Sequence, residues 1–280
     1  MRNLSRRTLT GIFLIIIVLG GLWLHPVTYF CIGGILLAGS VYEYYKLISF
    51  TGIKPQKAAG IISALSLYLI SVFVAAEALD SVFYLIVMGQ LILIIVFQLF
   101  RKQEKPFDAL AHTFFAVIFI SVPFSLLPFM AFIFPGPGTL IPGPVEGFSP
   151  GLMIGLMALS WSFDTGAYLF GSLLGKHKLF ERVSPEKSWE GFIFGLLIAV
   201  LIAWPLSLWI KNPGTGGWIV LAILMSVTGT LGDLVESMLK RSVGVKDSGS
   251  LLPGHGGILD RFDSLILSLP VVFIYLLLFA

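Results

Sequence analysis

The sequence predicts an all-α polytopic membrane protein with about nine transmembrane helices. Hydrophobic residues make up 57% of its 280 residues, charged residues only 12%, and the mean hydropathy is +0.96. A water-soluble chain of this length needs more polar residues than this to cover its surface. The apolar residues also fall into repeated runs, and a helix needs about 20 such residues to cross a bilayer. The solvent for most of this chain is therefore lipid.

Nine apolar runs qualify as spans, with approximate ends. The first two are short, and the junction Leu24-His25-Pro26 between them fits either a hairpin or a re-entrant pair. The predicted spans are residues 8–24, 27–42, 58–76, 81–100, 110–134, 151–174, 190–210, 217–238 and 263–280.

The basic residues predict the orientation, because cytoplasmic loops are enriched in Lys and Arg. With nine spans and a cytoplasmic N-terminus, 17 of the 18 basic residues lie inside, Lys211 lies outside, and the C-terminus is outside. The inner set is Arg2, Arg6, Arg7, Lys46, Lys54, Lys57, Arg101, Lys102, Lys105, Lys176, Lys178, Arg182, Lys187, Lys240, Arg241, Lys246 and Arg261.

Charge and cysteine content exclude some alternatives. The net charge of +3 predicts no nucleic-acid partner, because the basic residues follow the membrane topology. The lone Cys31 cannot form an intrachain disulfide. The N-terminal arginines before an apolar run also resemble a secretory signal, but no convincing cleavage site follows, so we expect an uncleaved first span.

We expect one membrane domain, 1–280, with two functional halves. Residues 1–150 form a helical scaffold with almost no charge inside its spans, and its Gly/Pro-rich end, 135–150, is a connector. Residues 151–280 form a catalytic half with two cytoplasmic loops, 175–190 and 239–263.

The catalytic half contains acids inside apolar runs, which are functional candidates because burying an unpaired carboxylate in a membrane is costly. Asp233, Glu236 and Lys240 are spaced to share one helix face. A structural ion pair between Glu236 and Lys240 is an alternative, although it leaves Asp233 unexplained. Asp164 lies one span before the first loop and needs a partner, either a cation or Lys187.

The loop 239–263 combines acids, bases and glycines. Its glycines, at 244, 249, 254, 256 and 257, would let backbone amides approach an anion, and its basic residues would neutralise phosphate. The carboxylates of Asp233, Asp260 and Asp263 suit Mg²⁺. His255 could bind a phosphate or base, whereas His25, His112 and His177 lie at span ends without companions at ligand spacing and are expected to be interfacial residues. A merely solvated loop would also carry mixed charge, but it would not need the glycines.

The loop 175–190 ends at a predicted helix start. Ser184 or Ser188 could cap that helix, and Glu190 in its first turn is ordinary helix-start chemistry. Lys187 is not explained by capping, and at a helix N-terminus it would strengthen a site for phosphate.

These motifs resemble those of the phosphatidate cytidylyltransferases, or CDP-diacylglycerol synthases. The match is closest in Ser237–Asp263, SMLKRSVGVKDSGSLLPGHGGILDRFD, and extends to SPEKSWEG at 184–191 and to the stretch Asp164–Lys178. It covers roughly residues 155–270, whereas the first half is similar only in being hydrophobic.

The resemblance implies a Mg²⁺-dependent enzyme that converts CTP and phosphatidic acid into CDP-diacylglycerol and pyrophosphate, by in-line attack without a covalent intermediate. The resemblance is also compatible with a second cation and with a homodimer. The implied location is the inner (cytoplasmic) membrane, with the active site on the cytoplasmic side. We assign catalysis to Asp233, Asp260, Lys240, Arg241 and Lys187; substrate binding to Lys246, Asp247, His255, Arg261, Ser184 and Glu236; and the metal to Asp233, Asp260, Asp263 and Asp164.

Two alternative functions stay open at this point. An ion-coupled transporter would explain the intramembrane acids but not the glycine-rich basic loop. A cytidylyltransferase acting on another lipid phosphate would use the same residues. A CDP-alcohol phosphotransferase is disfavoured, because its Asp-Gly pattern of paired acids is missing from the sequence.

Overall fold

A computed structural model describes residues 19–133, 147–245, 248–249 and 256–279. Within these ranges, residues 19–24 are helical and ten further α-helices follow. They are α1 (Pro26–Ser49), α2 (Lys57–Ala75), α3 (Tyr84–Leu99), α4 (Pro106–Ala116), α5 (Val122–Ser125), α6 (Leu127–Ile133), α7 (Gly151–Leu174), α8 (Trp189–Trp209), α9 (Gly214–Ser242) and α10 (Leu259–Phe279). A 3-10 turn, Ser81–Phe83, precedes α3, and a π-helical turn, Val117–Ser121, joins α4 to α5.

Seven helical segments in the described ranges are long and apolar enough to cross a membrane, which confirms the predicted fold class. They are Pro26–Ser49, Lys57–Ala75, Ser81–Leu99, Pro106–Phe132, Trp189–Trp209, Gly214–Ser242 and Leu259–Phe279. The predicted span 151–174 is helical as α7 but is not among the seven, since it contains Asp164 and several hydroxyl residues. Most of the predicted span 8–24 lies outside the described residues.

Local sequence signals explain two helix starts. Pro26 opens α1, where its missing N–H costs nothing, and the backbone N–H of Val27 donates to Nδ1 of His25 at 3.2 Å. Ser188 caps α8 by accepting from the N–H of Gly191 at 3.2 Å, which confirms it as a capping residue. The loop before it contains a short antiparallel hairpin, β1 (Lys178–Phe180) with β2 (Ser184–Ser188), whose register pairs Lys178 with Ser188.

The chain divides into two compact units. The first comprises Met1–Phe129 and Ser242–Phe262, and the second comprises Met130–Arg241 and Asp263–Ala280. The predicted division into a scaffold half and a catalytic half is a statement about function and stays a prediction.

Polar side chains join the helices of the first unit. The buried Tyr45 hydroxyl donates to the carbonyl of Thr113 at 2.8 Å, and the Thr113 hydroxyl accepts from the N–H of Gln56 at 2.9 Å. The Gln56 amide in turn donates to Oε1 of Gln98 at 2.9 Å. In an apolar solvent, where the hydrophobic effect cannot join helices, such interhelical hydrogen bonds supply specific contacts.

Small residues bring α7 and α8 of the second unit together. A Cβ added to Gly195 would lie 2.8 Å from the carbonyl oxygen of Phe163, and one added to Gly191 would lie 2.7 Å from that of Ala167. Both distances are too short for a real carbon atom, so only glycine permits this backbone approach. This packing fixes α8, and with it the hairpin that precedes α8.

We predict that Gly195→Leu destabilises the protein by about 1–3 kcal/mol, because the new side chain meets backbone that cannot move aside. Gly89→Leu is the matched control, since nothing lies within 4 Å of a Cβ at that position. Thermal unfolding of the two purified variants in detergent measures the difference. Equal melting temperatures for both variants would contradict the packing described for α7 and α8.

Candidate functional site

Helices α9 and α10 approach each other closely at the start of α10. A Cβ on Gly232 would lie 2.5 Å from the carbonyl oxygen of Asp263, and one on Gly229 would lie 3.4 Å from Cβ of Ser264. Further along, the Thr228 hydroxyl donates to that of Ser268 at 2.8 Å. Gly232 therefore allows the contact that brings its neighbour Asp233 beside Asp263.

Three carboxylates meet at this contact. Single oxygen atoms of Asp233, Glu236 and Asp263 all lie within 4.8 Å of one another. Asp233 and Glu236 are three residues apart on α9 and so share a face, as their spacing predicts, while Asp263 projects from α10. The Ser237 hydroxyl donates to Asp233 at 3.2 Å, and the backbone N–H of Ser264 donates to Asp263 at 2.6 Å.

Two lysines supply counter-charge. Lys187 at the end of β2 forms an ion pair with Asp233, and Lys240 forms one with Glu236 one turn along α9. The Glu236–Lys240 pair is largely buried, with side chains 5% and 13% exposed, whereas the Lys187–Asp233 pair is more open, at 27% and 36%. The structural pair considered as an alternative for Glu236 and Lys240 is therefore present, but it belongs to a larger cluster.

Asp164 of α7 belongs to the same cluster. Its carboxylate interacts electrostatically with Lys187 and with Asp233. That the partner of Asp164 is Lys187 or a cation stays a prediction, and the ion pair that Lys187 forms among the described residues is with Asp233. We call this set the acid–lysine cluster; it consists of Asp164, Lys187, Asp233, Glu236, Lys240 and Asp263.

The acid–lysine cluster fits a divalent cation by its donor set and its charge. It offers carboxylate oxygens, which Mg²⁺ prefers, and three of its carboxylates converge. If all its groups are ionised, four carboxylates and two ammonium groups leave two uncompensated negative charges. One divalent cation would balance them.

The hairpin holds Lys187 in place through the start of α8. The backbone N–H of Trp189 donates to the carbonyl of His177 at 2.9 Å. Glu190 accepts from the backbone N–H groups of Lys176 and His177 at 3.1 and 3.2 Å, and it contacts Nδ1 of His177 at 2.6 Å. The β-hairpin, which the sequence did not predict, brings Glu190 to His177.

Asp260 lies in the first unit, where its carboxylate accepts hydrogen bonds from backbone amides. The N–H of Gly257 donates to Oδ2 at 2.9 Å, and the N–H of Ser248 donates to the same oxygen at 3.1 Å. The hydrogen bond from Ser248 therefore ties Asp260 to a part of the chain twelve residues earlier. Its predicted role as a metal ligand stays a prediction.

Glu43 of α1 is a second buried acid in the first unit, and sequence reasoning missed it. Its side chain is 1% exposed, and its Oε2 accepts from the backbone N–H of Leu259 at 2.9 Å and from the Ser248 hydroxyl at 3.5 Å. The predicted span 27–42 ends just before Glu43, whereas α1 continues to Ser49. The signal available was the aromatic run that follows it, since Tyr44 and Tyr45 extend the apolar segment.

The glycines of the 239–263 loop have separate roles in the structure. Gly244 and Gly256 adopt positive φ angles of 74° and 84°, which other residues rarely adopt. Gly249 and Gly257 have no room for a Cβ, because the Glu43 carboxylate occupies that space. The anion that these two glycines accommodate is thus Glu43 of the same chain. Gly254 lies outside the described residues.

The remaining predicted residues are dispersed or outside the described ranges. Ser184 begins β2 opposite Phe180, Arg241 is exposed near the end of α9, and Arg261 is exposed in the first turn of α10. Lys246, Asp247 and His255, which we assigned to substrate binding, lie outside the described residues.

Comparison with known proteins gives matches over almost the whole chain. Residues 5–279 match the cytidylyltransferase family. A protein of Staphylococcus saprophyticus named phosphatidate cytidylyltransferase is 34% identical over 280 residues, which is 97% of this chain and 98% of that protein. One of the same name from Staphylococcus epidermidis is 36% identical over 281 residues, with the same coverage.

The similarity is strongest over part of the chain. A phosphatidate cytidylyltransferase of Staphylococcus aureus is 52% identical over 120 residues, which is 42% of this chain and 45% of that protein. The matches to the other two relatives cover both compact units, so the family likeness is not confined to the acid–lysine cluster.

Proposed function

This chain belongs to the cytidylyltransferase family and is a nucleotidyltransferase of the membrane, and we propose that it transfers CMP from CTP to phosphatidate. The products are CDP-diacylglycerol and pyrophosphate. Full-length relatives named phosphatidate cytidylyltransferase support this choice of substrate. The observation that carries the proposal is the acid–lysine cluster, because its converging carboxylates could hold the divalent cation that offsets the repulsion between two polyanionic substrates, and its lysines could contact their phosphates.

The proposed reaction is one in-line displacement. A phosphate oxygen of phosphatidate attacks the α-phosphorus of CTP, a new P–O bond forms, and the bond from that phosphorus to the bridging oxygen breaks. Pyrophosphate leaves with the electron pair of the broken bond. Phosphatidate is already anionic at neutral pH, so no general base is required, and no covalent enzyme intermediate forms.

Asp233, Asp263 and Glu236 would hold Mg²⁺, and Asp164 would contribute to the same ion or to a second cation. When bound, the ion neutralises phosphate charge as it develops on the leaving group. Lys187 and Lys240 bind and orient the substrate phosphates. Lys187 immediately precedes Ser188, the residue that caps α8, and so lies at a helix N-terminus. We assign supporting contacts to Arg241, Arg261 and Ser184, and to Lys246, Asp247 and His255.

We further propose that the cluster faces the cytoplasm of the inner membrane, and that the enzyme is a homodimer. The distribution of basic residues supports the orientation. Phosphatidate would keep its acyl chains in lipid and reach the cluster from the side.

We predict that Asp233→Asn lowers turnover roughly 100-fold, the usual effect of removing one group that stabilises transition-state charge. The assay measures pyrophosphate release by detergent-purified enzyme with CTP, Mg²⁺ and phosphatidate. Glu181→Gln is the matched control, because Glu181 is exposed in the hairpin turn, and it should stay within twofold of wild type.

The same assay separates the alternative functions. A transporter would release no pyrophosphate that depends on both CTP and the lipid. An enzyme for another lipid phosphate would work faster when phosphatidate is replaced by that lipid. Near-normal turnover by Asp233→Asn would contradict the role given to the cluster.

We predict that Asp263→Asn weakens divalent-cation binding at least about tenfold, since one of three converging carboxylate ligands is lost. Binding of Mn²⁺ to the purified protein, followed by electron paramagnetic resonance, measures this without any turnover. Asp108→Asn makes the same charge change at an exposed position in the first turn of α4 and should leave binding unchanged. Equal affinities for Asp263→Asn and wild type would remove Asp263 from the metal site.

We predict opposite labelling of two introduced cysteines if the orientation is correct. In a Cys31→Ser background, Lys178→Cys in β1 should react with a membrane-impermeant maleimide only in inverted vesicles. Lys211→Cys, between α8 and α9, should react only in right-side-out vesicles. Both positions are exposed and lie in the same unit, so accessibility within the protein is matched. The reverse pattern would place the hairpin outside.

A further inference from the structure

We infer that Glu43 is a positioning residue for catalysis, which holds both ends of the glycine-rich segment, residues 248–249 and 256–260, against α1. The inference rests on the proposed function, because it assigns Glu43 to the same reaction. It concerns a residue in the part of the chain that we predicted to be only a scaffold.

The contacts of Glu43 reach both ends of the segment. Oε2 accepts from the Ser248 hydroxyl at one end and from the backbone N–H of Leu259 at the other. Asp260 links the same ends, because it accepts from the N–H groups of Ser248 and Gly257. Ser248 is thus held by its hydroxyl to Glu43 and by its amide to Asp260. The two carboxylates tie the ends of the segment to each other, and Glu43 also ties them to α1.

The packing around Glu43 shows that the segment is fitted to it. Gly249 and Gly257 both lie where a Cβ would meet the Glu43 carboxylate. One turn earlier on α1, a Cβ on Gly39 would meet the side chain of Ile258. Glycines on both sides of the interface therefore bring backbone and carboxylate together, and at Gly249 and Gly257 a larger residue would displace either the Glu43 carboxylate or the segment.

The charge of Glu43 is costly, and packing alone does not explain it. Its side chain is 1% exposed, and its Oε1 is buried without a hydrogen-bond partner among the described residues. A buried carboxylate with incomplete hydrogen bonding is unfavourable compared with an apolar or amide side chain of similar size. A residue that only filled space here would not need to be ionisable.

The held segment leads directly to proposed site residues. Asp260 and Arg261 follow the anchored Leu259, and α10 continues from them to Asp263. Glu43 acts on the reaction through the position of this segment, without touching substrate. The members of the acid–lysine cluster, in contrast, are proposed to contact the metal ion or the substrate phosphates.

Glu43→Gln tests the inference, because the amide keeps the size of the side chain but removes its charge. We expect kcat to fall at least tenfold, while KM for phosphatidate changes less than threefold, since Glu43 is proposed to touch no substrate and to act only through the position of the segment. The matched control is Tyr45→Phe, which removes a buried hydrogen bond to Thr113 from the same helix without touching the segment. It should lower the melting temperature at least as much as Glu43→Gln, yet keep kcat within threefold.

Gly249→Ala provides a second variant in case Glu43→Gln does not fold. It leaves Glu43 intact and pushes the segment away from it, so kcat should fall in the same way. The double variant should lose little more than the more impaired single variant, because both changes break one contact.

The outcomes separate the two proposals. If wild-type enzyme releases no pyrophosphate from CTP and phosphatidate, the proposed function fails. If the wild type is active and folded Glu43→Gln or Gly249→Ala keeps kcat within threefold, the inference fails alone. It also fails if Tyr45→Phe loses as much activity as Glu43→Gln at the same melting temperature.

Discussion

A carboxylate among apolar membrane helices has to be neutralised or hydrogen-bonded where it stands, because leaving it bare costs several kcal/mol. The protein meets this constraint in two ways. In the second unit, lysines pair with the acids of the acid–lysine cluster. In the first unit, Glu43 and Asp260 accept hydrogen bonds from backbone amides and a hydroxyl.

Glycine residues allow the close approach that both arrangements require. Gly232 lets α9 come close enough to α10 for Asp233 and Asp263 to share a site. Gly249 and Gly257 let backbone amides surround Glu43. In a water-soluble protein, the hydrophobic effect can hold helices together through larger residues. In lipid, close packing and hydrogen bonds stabilise the association of helices instead. The glycines are therefore part of the electrostatic arrangement and not merely flexible joints.

The sequence predicted the membrane fold and most of the acid–lysine cluster, because both depend on local patterns. Apolar runs give the spans, and the three-residue spacing of Asp233 and Glu236 gives their shared face. The sequence also identified Lys187 as a candidate site residue, because helix capping did not explain it.

Contacts between distant residues could not be predicted in this way. Glu43 and Leu259 are 216 positions apart, and no periodicity links them. The glycines near Glu43 were therefore attributed to an external anion, although the structure fills their space with the chain's own carboxylate. The hairpin was missed for a related reason, since its strands are short and one contains Pro185, which disfavours a strand.

The two ways of neutralising acids imply different uses. A lysine ammonium is a mobile counter-charge, which can be replaced by a metal ion or can turn toward a phosphate. An acid that is paired with lysine can therefore exchange the lysine for a metal ion. A backbone amide cannot leave without unfolding the local chain, so acids bound by amides are fixed. By this criterion Lys187, Asp233 and Glu236 are suited to binding and release, whereas Glu43 is suited to holding the framework. Asp260 resembles Glu43, because any metal it bound would have to share its oxygens with the amides of Ser248 and Gly257.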